Sequence, residues 1–376
     1  MWYFRSPQIV YGPESLSFLQ TLGISRAAII TDSTLADSDI VQKVIHSLPE
    51  NAGSKIFSGF SPEPDFVQIK SNLEGVNAFQ PDWIIGVGGG SSIDAAKIIF
   101  AMYEKPDLDV YDITPLSPLG LRKKSRLIAV PTTSGTGSEC SWAAVISERE
   151  EKRKNELASP EILPDYAILD PEMVIDLPRQ QTVSTSVDAI THAIESYSSS
   201  WNNPYSDALA EKALELILNN LVAVVDGKGG IEARDRIHIG ASMAGLSFSN
   251  SQIGMAHALG HAFGAIFKKP HGTSVGLFLP EVVALNSRSS RERYDRLNRI
   301  FPDSFREGDL QSSLRKLFAR IGQPLTVKEA GIGREEMESN RDALVSLAME
   351  STGMLTNPYE ASTEEVNETL ERCYGY

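Results

Sequence analysis

The sequence predicts two domains of different class: an α/β N-terminal domain with a parallel sheet, residues 1–178, and an all-α C-terminal domain, residues 179–376. Three observations carry this. Short apolar, β-branched runs alternate with helical stretches as far as Asp170-Pro171, the pattern of a doubly wound sheet. From about Pro178 onward the apolar residues recur with a period near 3.6, which marks amphipathic helices. The length of 376 residues also exceeds the roughly 250–300 at which a single core stops growing.

In order along the chain, a turn at Tyr11-Gly12-Pro13 precedes Ala27-Ala28-Ile29-Ile30, a run that ends at Thr31-Asp32 and reads as a buried strand. A helix is expected over about Leu35 to Ser47 and a strand near Lys55-Ile56-Phe57. The Pro-rich turn Ser61-Pro62-Glu63-Pro64-Asp65 leads to a further helix. The strand from Asp82 to Val87 then enters Gly88-Gly89-Gly90-Ser91-Ser92 and a helix carrying Ile93, Ala96, Lys97 and Phe100. After an irregular stretch from Pro106 to Lys124, Leu127-Ile128-Ala129-Val130 resumes the sheet and runs into Pro131-Thr132-Thr133-Ser134-Gly135-Thr136-Gly137-Ser138-Glu139. The charged excursion Glu148 to Lys154 reads as a solvated hairpin or loop, and Tyr166 to Asp170 as another strand. In the second half, Ser206 to Val225, Ala233 to Ser247 and Leu310 to Ile321 carry the clearest helical periodicity.

Glycines between a buried strand and a helix let backbone N–H groups approach a ligand at the positive end of the helix dipole, which suits a pyrophosphate. Gly86-Val-Gly88-Gly89-Gly90 is not a full G-x-G-x-x-G, so alone it reads equally as a tight turn capped by Ser91 or Ser92. The second polar turn, Thr132 to Glu139, shifts the balance toward a dinucleotide site, because both turns belong to one edge of a parallel sheet, where ligands bind. Asp32, at the end of the first strand, is suited to accept from ribose hydroxyls and to repel a 2′-phosphate, favouring NAD over NADP; it reads equally as a turn or capping aspartate.

Composition removes several classes. With 35 Lys and Arg against 49 Asp and Glu, a formal charge of -14 disfavours nucleic acid and anionic membrane surfaces as partners. The start lacks a basic region followed by an apolar core, and no apolar run reaches membrane-spanning length. A soluble cytoplasmic protein is expected. Cys140 and Cys373 form neither a disulfide framework nor a C-x-x-C site.

Between Thr185 and Gly272, one carboxylate and four of the chain's six histidines fall at helix-compatible spacings. Asp188 and His192 lie four apart, as do His257 and His261, and His271 follows ten residues later. Residues at i and i+4 project from one helix face, so each pair can address a common point, a geometry that suits a divalent metal. His257-Ala-Leu-Gly-His261 lacks the glutamate of H-E-x-x-H, and His192-Ala-Ile-Glu-Ser lacks the motif as well, so a metal here does not serve a protease-like helix-borne base. Singly, each residue is more readily a buried polar group; several converging on one helical core need a cation to satisfy them. His46 and His238 match no motif and read as structural or surface residues, and Cys140 reads as packing.

Five pieces, in order and spacing, resemble the iron-containing (group III) alcohol dehydrogenase family over essentially the whole chain. They are Gly88 to Lys97, Pro131 to Glu139, Asp188-Ala-Ile-Thr-His192-Ala-Ile-Glu-Ser-Tyr197, Gly254-Met-Ala-His257 with His261 and Pro270-His271-Gly272, and Leu355-Thr-Asn-Pro358. The resemblance implies a dehydroquinate synthase-like fold, with a dinucleotide-binding domain, a helical metal-binding domain and an active site in the cleft between them. It implies Asp188, His192, His257 and His271 as metal ligands and His261 as a histidine off the metal and near the nicotinamide, the candidate catalytic residue. It further implies Asp32 on the adenosine ribose; Gly89, Gly90 and Ser91, with Asp94 of the same motif, at the pyrophosphate; and Thr132, Thr133 and Thr136 in the second cofactor loop. Lys154, placed by its distance from Asp170-Pro171, resembles a lysine near the nicotinamide end. Iron(II) is the expected metal, with Zn²⁺ and Mn²⁺ as alternatives, since imidazole suits several divalent ions. A homodimer is expected, acting on a small alcohol or aldehyde.

The chain departs from the family pattern at Pro62-Glu63-Pro64, where an amide is usual; at Thr185-Ser186-Val187-Asp188; and at Asn357-Pro358-Tyr359, where arginine is usual. The first bears on cofactor preference, the last on the substrate pocket or an inter-helix contact. A bound divalent ion lowers the pKa of coordinated water from about 15.7 to about 7, equivalent to on the order of 10 kcal/mol, and a coordinated alcohol should respond alike. One aspartate and three neutral histidines leave such a site at net +1. The rival readings are a polyol or polyol-phosphate dehydrogenase or lyase similar to glycerol dehydrogenase or dehydroquinate synthase, a maleylacetate reductase-like protein, and, from another class, a catalytically silent nucleotide-binding module.

Overall fold

The computed structural model describes residues 3–60, 64–148 and 153–375, with the backbone alone at 147, 148, 153 and 154. Contacts divide the chain into two units, Met1–Leu177 and Pro178–Tyr376.

The first unit runs β1 (Gln8–Tyr11), β2 (Arg26–Asp32), α1 (Asp39–His46), β3 (Gly53–Phe60), α2 (Phe66–Phe79), β4 (Trp83–Gly88), α3 (Gly90–Glu104), β5 (Arg126–Pro131), β6 (Ala143–Glu148), β7 (Arg153–Ala158) and β8 (Tyr166–Leu169). Six strands form one sheet in the order β1-β8-β5-β4-β2-β3, and every pair in it is parallel. The run Ala27 to Thr31 is fully buried because helices cover both faces. Ala28, Ile30 and Ile84 join the core shared with α2 and α3, while Ala27, Ile29 and Ile85 join the opposite core with Val41 and Val44 of α1. That alternation is the period of two a strand imposes. The chain leaves β2 toward β3 on one side, and β4 lies on its other side, so the sheet's topological switch lies beside β2 and β4.

The helix expected over Leu35 to Ser47 forms only over Asp39–His46. Asp32 Oδ1 accepts the Thr34 and Leu35 amides, which holds the preceding residues in turns. Ser38 then caps the helix by accepting from Val41 N–H. β1 is an addition to the predicted elements, and the antiparallel β6–β7 pair flanks the charged excursion that the sequence offers as a hairpin or loop. The tip of that pair, and Pro62-Glu63, lie outside the described residues.

The second unit is all helix: α4 (Arg179–Ser198), α5 (Pro204–Val225), α6 (Gly230–Ser249), α7 (Met255–Phe267), α8 (His271–Asn286), α9 (Arg291–Asn298), α10 (Leu310–Ile321), α11 (Arg334–Met349), α12 (Thr352–Thr356) and α13 (Thr363–Tyr374). One continuous core joins them, and Val187, Ile190, Ala193 and Ile194 of α4 are part of it. α4 is buried all round from Val187 to Ser198 yet polar in sequence. Thr191 and Ser198 turn their hydroxyls back to the helix's own carbonyls at Val187 and Ile194, so burying these two leaves no hydrogen bond of theirs unmade.

Candidate active site

Three helices of the second unit supply the candidate metal ligands: α4 carries Asp188 and His192, α7 carries His257 and His261, and α8 opens on His271. The helices can converge because glycines stand where they touch. A Cβ on Gly272 of α8 would overlap the Ser184 carbonyl of α4, and one on Gly260 of α7 would come within 2.5 Å of Val275 Cγ1 of α8.

Ligand atoms of Asp188, His192 and His257 all lie within 4.8 Å of one another. The residues are 1%, 4% and 1% exposed, so any ion they hold is withdrawn from water. His257 Nε2 stands 3.5 Å from Asp188 Oδ1. His271, more open, brings Nε2 to 3.2 Å from the same oxygen. The His192 ring is sandwiched between Phe248, at 4.3 Å, and His257, at 4.4 Å, a stack that fixes its plane. His261, one turn beyond His257, is half-buried; its ring lies 5.1 Å from that of His271 and edge-on to His257 at 5.8 Å.

Burial by itself would hold Asp188 neutral, but the imidazoles of His192, His271 and His257 around it bring its carboxyl well below the ordinary range. Burial likewise works against a charged His257, yet the Glu195 and Asp188 carboxylates raise it to about 9. The cluster therefore demands positive charge at its centre. Asp188 Oδ1 and His257 Nε2 are buried and make no hydrogen bond, which is costly unless something occupies the space they face. One carboxylate and three imidazoles fit a divalent first-row ion.

Glu195, which the sequence analysis passed over, lies seven residues beyond Asp188 and three beyond His192 on α4. It is 2% exposed and accepts from His257 Nδ1 at 2.5 Å, Ala256 N at 2.6 Å and Gly254 N at 3.0 Å. The i, i+4, i+7 spacing of Asp188, His192 and Glu195 was the available signal. Asn357 accepts from Met255 N at 3.1 Å and exchanges bonds with Asn286, so the late Leu355–Pro358 motif anchors the start of α7. Tyr359, where the family has arginine, donates to Glu365 and lies beneath Arg288: an inter-helix contact.

In the first unit, Asp32, Gly88 to Ser92 and Thr132 to Thr136 all lie at or just past the C-terminal ends of β2, β4 and β5. α3 starts at Gly89 without a side-chain cap, which leaves its first amides directed at the same edge. A Cβ on Gly90 would fall 2.9 Å from Thr136, and one on Gly89 3.4 Å from Thr133, so the two glycine turns are in contact. Thr132 N donates to Gly88 O, and Ser92 Oγ donates to Asp32 Oδ2 at 3.4 Å. Asp94 is engaged within the fold, accepting from Ser138 Oγ at 2.5 Å and Val145 N at 3.0 Å. Fully buried Lys97 donates to Ser138, Ser141 and the Ala143 carbonyl. Ser91 is half-buried in the first turn of α3. The Lys154 side chain lies outside the described residues.

Two family profiles cover the chain between them: "Iron-containing alcohol dehydrogenase" matches residues 6–171, and "Fe-containing alcohol dehydrogenase family, C-terminal" matches 182–374. The chain belongs to the iron-containing alcohol dehydrogenase family. It is 34% identical to an NADPH-dependent butanol dehydrogenase of Clostridium saccharobutylicum, covering 100% of this chain and 98% of that one. Among solved structures it is similar to a 1,3-propanediol oxidoreductase, with TM-score 0.91, 28% identity and full coverage of both chains. It is also similar to the sulfoacetaldehyde reductase of Bifidobacterium kashiwanohense in complex with NAD+, with TM-score 0.89, 25% identity, and coverage of 100% of this chain and 99% of that one. This alcohol dehydrogenase interconverts an alcohol and its carbonyl compound.

Proposed function

We propose that Asp188, His192, His257 and His271 hold one divalent ion, Fe²⁺ in the first place and Zn²⁺ or Mn²⁺ as substitutes. In this proposal the β2–β4–β5 edge binds NAD in preference to NADP, and the substrate is a small primary or secondary alcohol. The observation that carries this is the buried pair Asp188 Oδ1 and His257 Nε2, each without a hydrogen bond, facing each other across 3.5 Å inside a cluster of carboxylate and imidazoles. When bound, the ion supplies a Lewis acid that makes an alcohol hydroxyl easier to deprotonate, and the nicotinamide supplies the hydride acceptor.

The chain's own residues do the rest. The three helices fix the ligand directions before substrate arrives, so little reorganisation remains for the reaction. His261, half-buried and one turn from His257, receives the hydroxyl proton on its imidazole and returns it in the reverse reaction. The α3 amides and the Gly89–Ser91 turn hold the pyrophosphate, Thr132, Thr133 and Thr136 line the second turn, and Asp32 selects the unphosphorylated ribose. Lys154 and Asp94 complete the cofactor set of the proposal, Asp94 by bracing the second turn through Ser138. A homodimer and a cytoplasmic setting belong to the same proposal. Among the described residues no helix is long and apolar enough to cross a membrane.

The test is NAD-linked oxidation of a panel of short alcohols and diols by protein stripped of metal and then reconstituted separately with Fe²⁺ and Zn²⁺. Turnover that disappears with the metal and returns with it is the expected result. Turnover indifferent to chelation rejects the metal's role.

A further inference from the structure

Glu195 is the most deeply engaged ionisable group around the cluster that is not itself a candidate ligand. Three donors converge on its two oxygens: Oε2 takes His257 Nδ1 at 2.5 Å and Gly254 N at 3.0 Å, and Oε1 takes Ala256 N at 2.6 Å. Backbone N–H groups can only donate, so the two amides fix the carboxylate as an acceptor. His257 Nδ1 must then carry the proton. In the neutral form that binds a metal, an imidazole has one donor and one acceptor nitrogen, which leaves Nε2 as the lone-pair atom, and Nε2 is the nitrogen facing Asp188 Oδ1 at 3.5 Å. The same contacts supply what α7 lacks, since Gly254 at its N-cap offers no side-chain bond. The fit is tight: a Cβ on Gly254 would fall 2.9 Å from Glu195 Oε1.

We propose that Glu195 is a positioning residue that sets the tautomer and direction of the His257 imidazole for metal binding, while capping α7 so that the ring's backbone stays in place. This rests on the four-ligand site proposed above. A carboxylate is needed because glutamine cannot meet three donors. With its carbonyl oxygen toward His257 and Gly254, its amide opposes the Ala256 N–H. With its oxygen toward Ala256, its amide opposes Nδ1 and drives the ring proton onto Nε2, the ligand atom. Hydrogen-bond partners of metal-bound histidines raise the ligand's basicity, and their loss costs about 10–100-fold in metal affinity.

The test compares Zn²⁺ affinity and the rate of Zn²⁺ loss to a chelator in the full-length wild type, Glu195→Gln and Asn357→Ala. Asn357 caps the same helix at Met255 N without touching the ring, so Asn357→Ala reports on capping alone. Glu195→Gln is expected to hold Zn²⁺ about 10–100-fold more weakly and release it faster, with Asn357→Ala melting lower but binding Zn²⁺ within about twofold of wild type. Equal Zn²⁺ affinity in Glu195→Gln and wild type overturns the proposal and leaves Glu195 a helix cap. So does a loss of affinity in Asn357→Ala as large as that in Glu195→Gln. A wild type that takes up no Zn²⁺ overturns the ligand set itself and the proposal with it. Should Glu195→Gln not fold, ¹⁵N–¹H correlation of histidine-labelled, Zn²⁺-loaded wild type decides: a slowly exchanging proton on His257 Nδ1 supports the assignment, and coordination through Nδ1 overturns it.

Discussion

Asp188 has one oxygen aimed at two imidazoles, His257 Nε2 at 3.5 Å and His271 Nε2 at 3.2 Å, and almost no access to water. Taking away the carboxylate leaves imidazoles with no anion among the ligands, and Asp188→Ala should abolish stoichiometric metal binding and reduce kcat by at least about 100-fold, read by metal analysis and turnover on one sample. The charge count changes once Glu195 is included. One aspartate and three neutral histidines around a divalent ion give +1, but the Glu195 carboxylate against His257 brings the enlarged cluster to zero, which favours holding the ion over releasing it with an anion. Asp32 poses a separate question of selectivity. Its Oδ1 already serves two turn amides, so only Oδ2, near Ser92, remains for a ribose. Asp32→Ser keeps a turn acceptor but removes the charge, and is expected to raise kcat/KM with NADPH relative to NADH. An unchanged ratio would take cofactor choice away from this residue.

At the scale of elements, the ligand geometry depends on how closely α4, α7 and α8 approach one another. Gly272→Ala drives a methyl into the Ser184 carbonyl, and overpacking of this kind costs about 1–3 kcal/mol. In a unit of this size each kcal/mol shifts Tm by about 2–4 °C. The variant should melt lower and bind metal more weakly, and a variant with wild-type melting and metal content would show that the helices can part without consequence. These elements also show what the sequence disclosed. α10 is amphipathic, with Leu314, Leu317, Phe318 and Ile321 on its buried face, and its apolar period marked its ends. α4 carries no such period, because from Val187 to Ser198 it is enclosed on every side; only the spacing of Asp188 and His192 gave it away. The candidate ligand residues were legible because i, i+4 pairs survive in one dimension. Glu195 was not, since its three partners lie on α7 and its N-cap, about 60 positions away. β1 was missed for a related reason: four residues at a sheet edge carry too little pattern, and their pairing with β8 spans the whole first unit.

For the whole molecule, the cluster couples folding to pH. With no metal bound, His257 holds its proton up to about 9, against 6.5 for an ordinary imidazole. A raised folded-state value contributes stability that is complete below about pH 6.5 and lost as the pH rises through 9. Asp188, held well below 3.8, contributes stability present above that value and lost on acidification. Metal-free protein should therefore show a falling Tm from about pH 6.5 to 9. Bound metal replaces the His257 proton, so loaded protein should hold its Tm over this interval, and loading near pH 7 should release about one proton. Parallel melting curves with and without metal would contradict this. The central claim, that four side chains from three helices of one unit hold a single divalent ion, is tested most directly by anomalous diffraction from crystals of the Zn²⁺-loaded protein. The account predicts one peak at about 2.0–2.2 Å from an Asp188 oxygen and from one nitrogen each of His192, His257 and His271. A peak elsewhere, or none at this cluster, would contradict it.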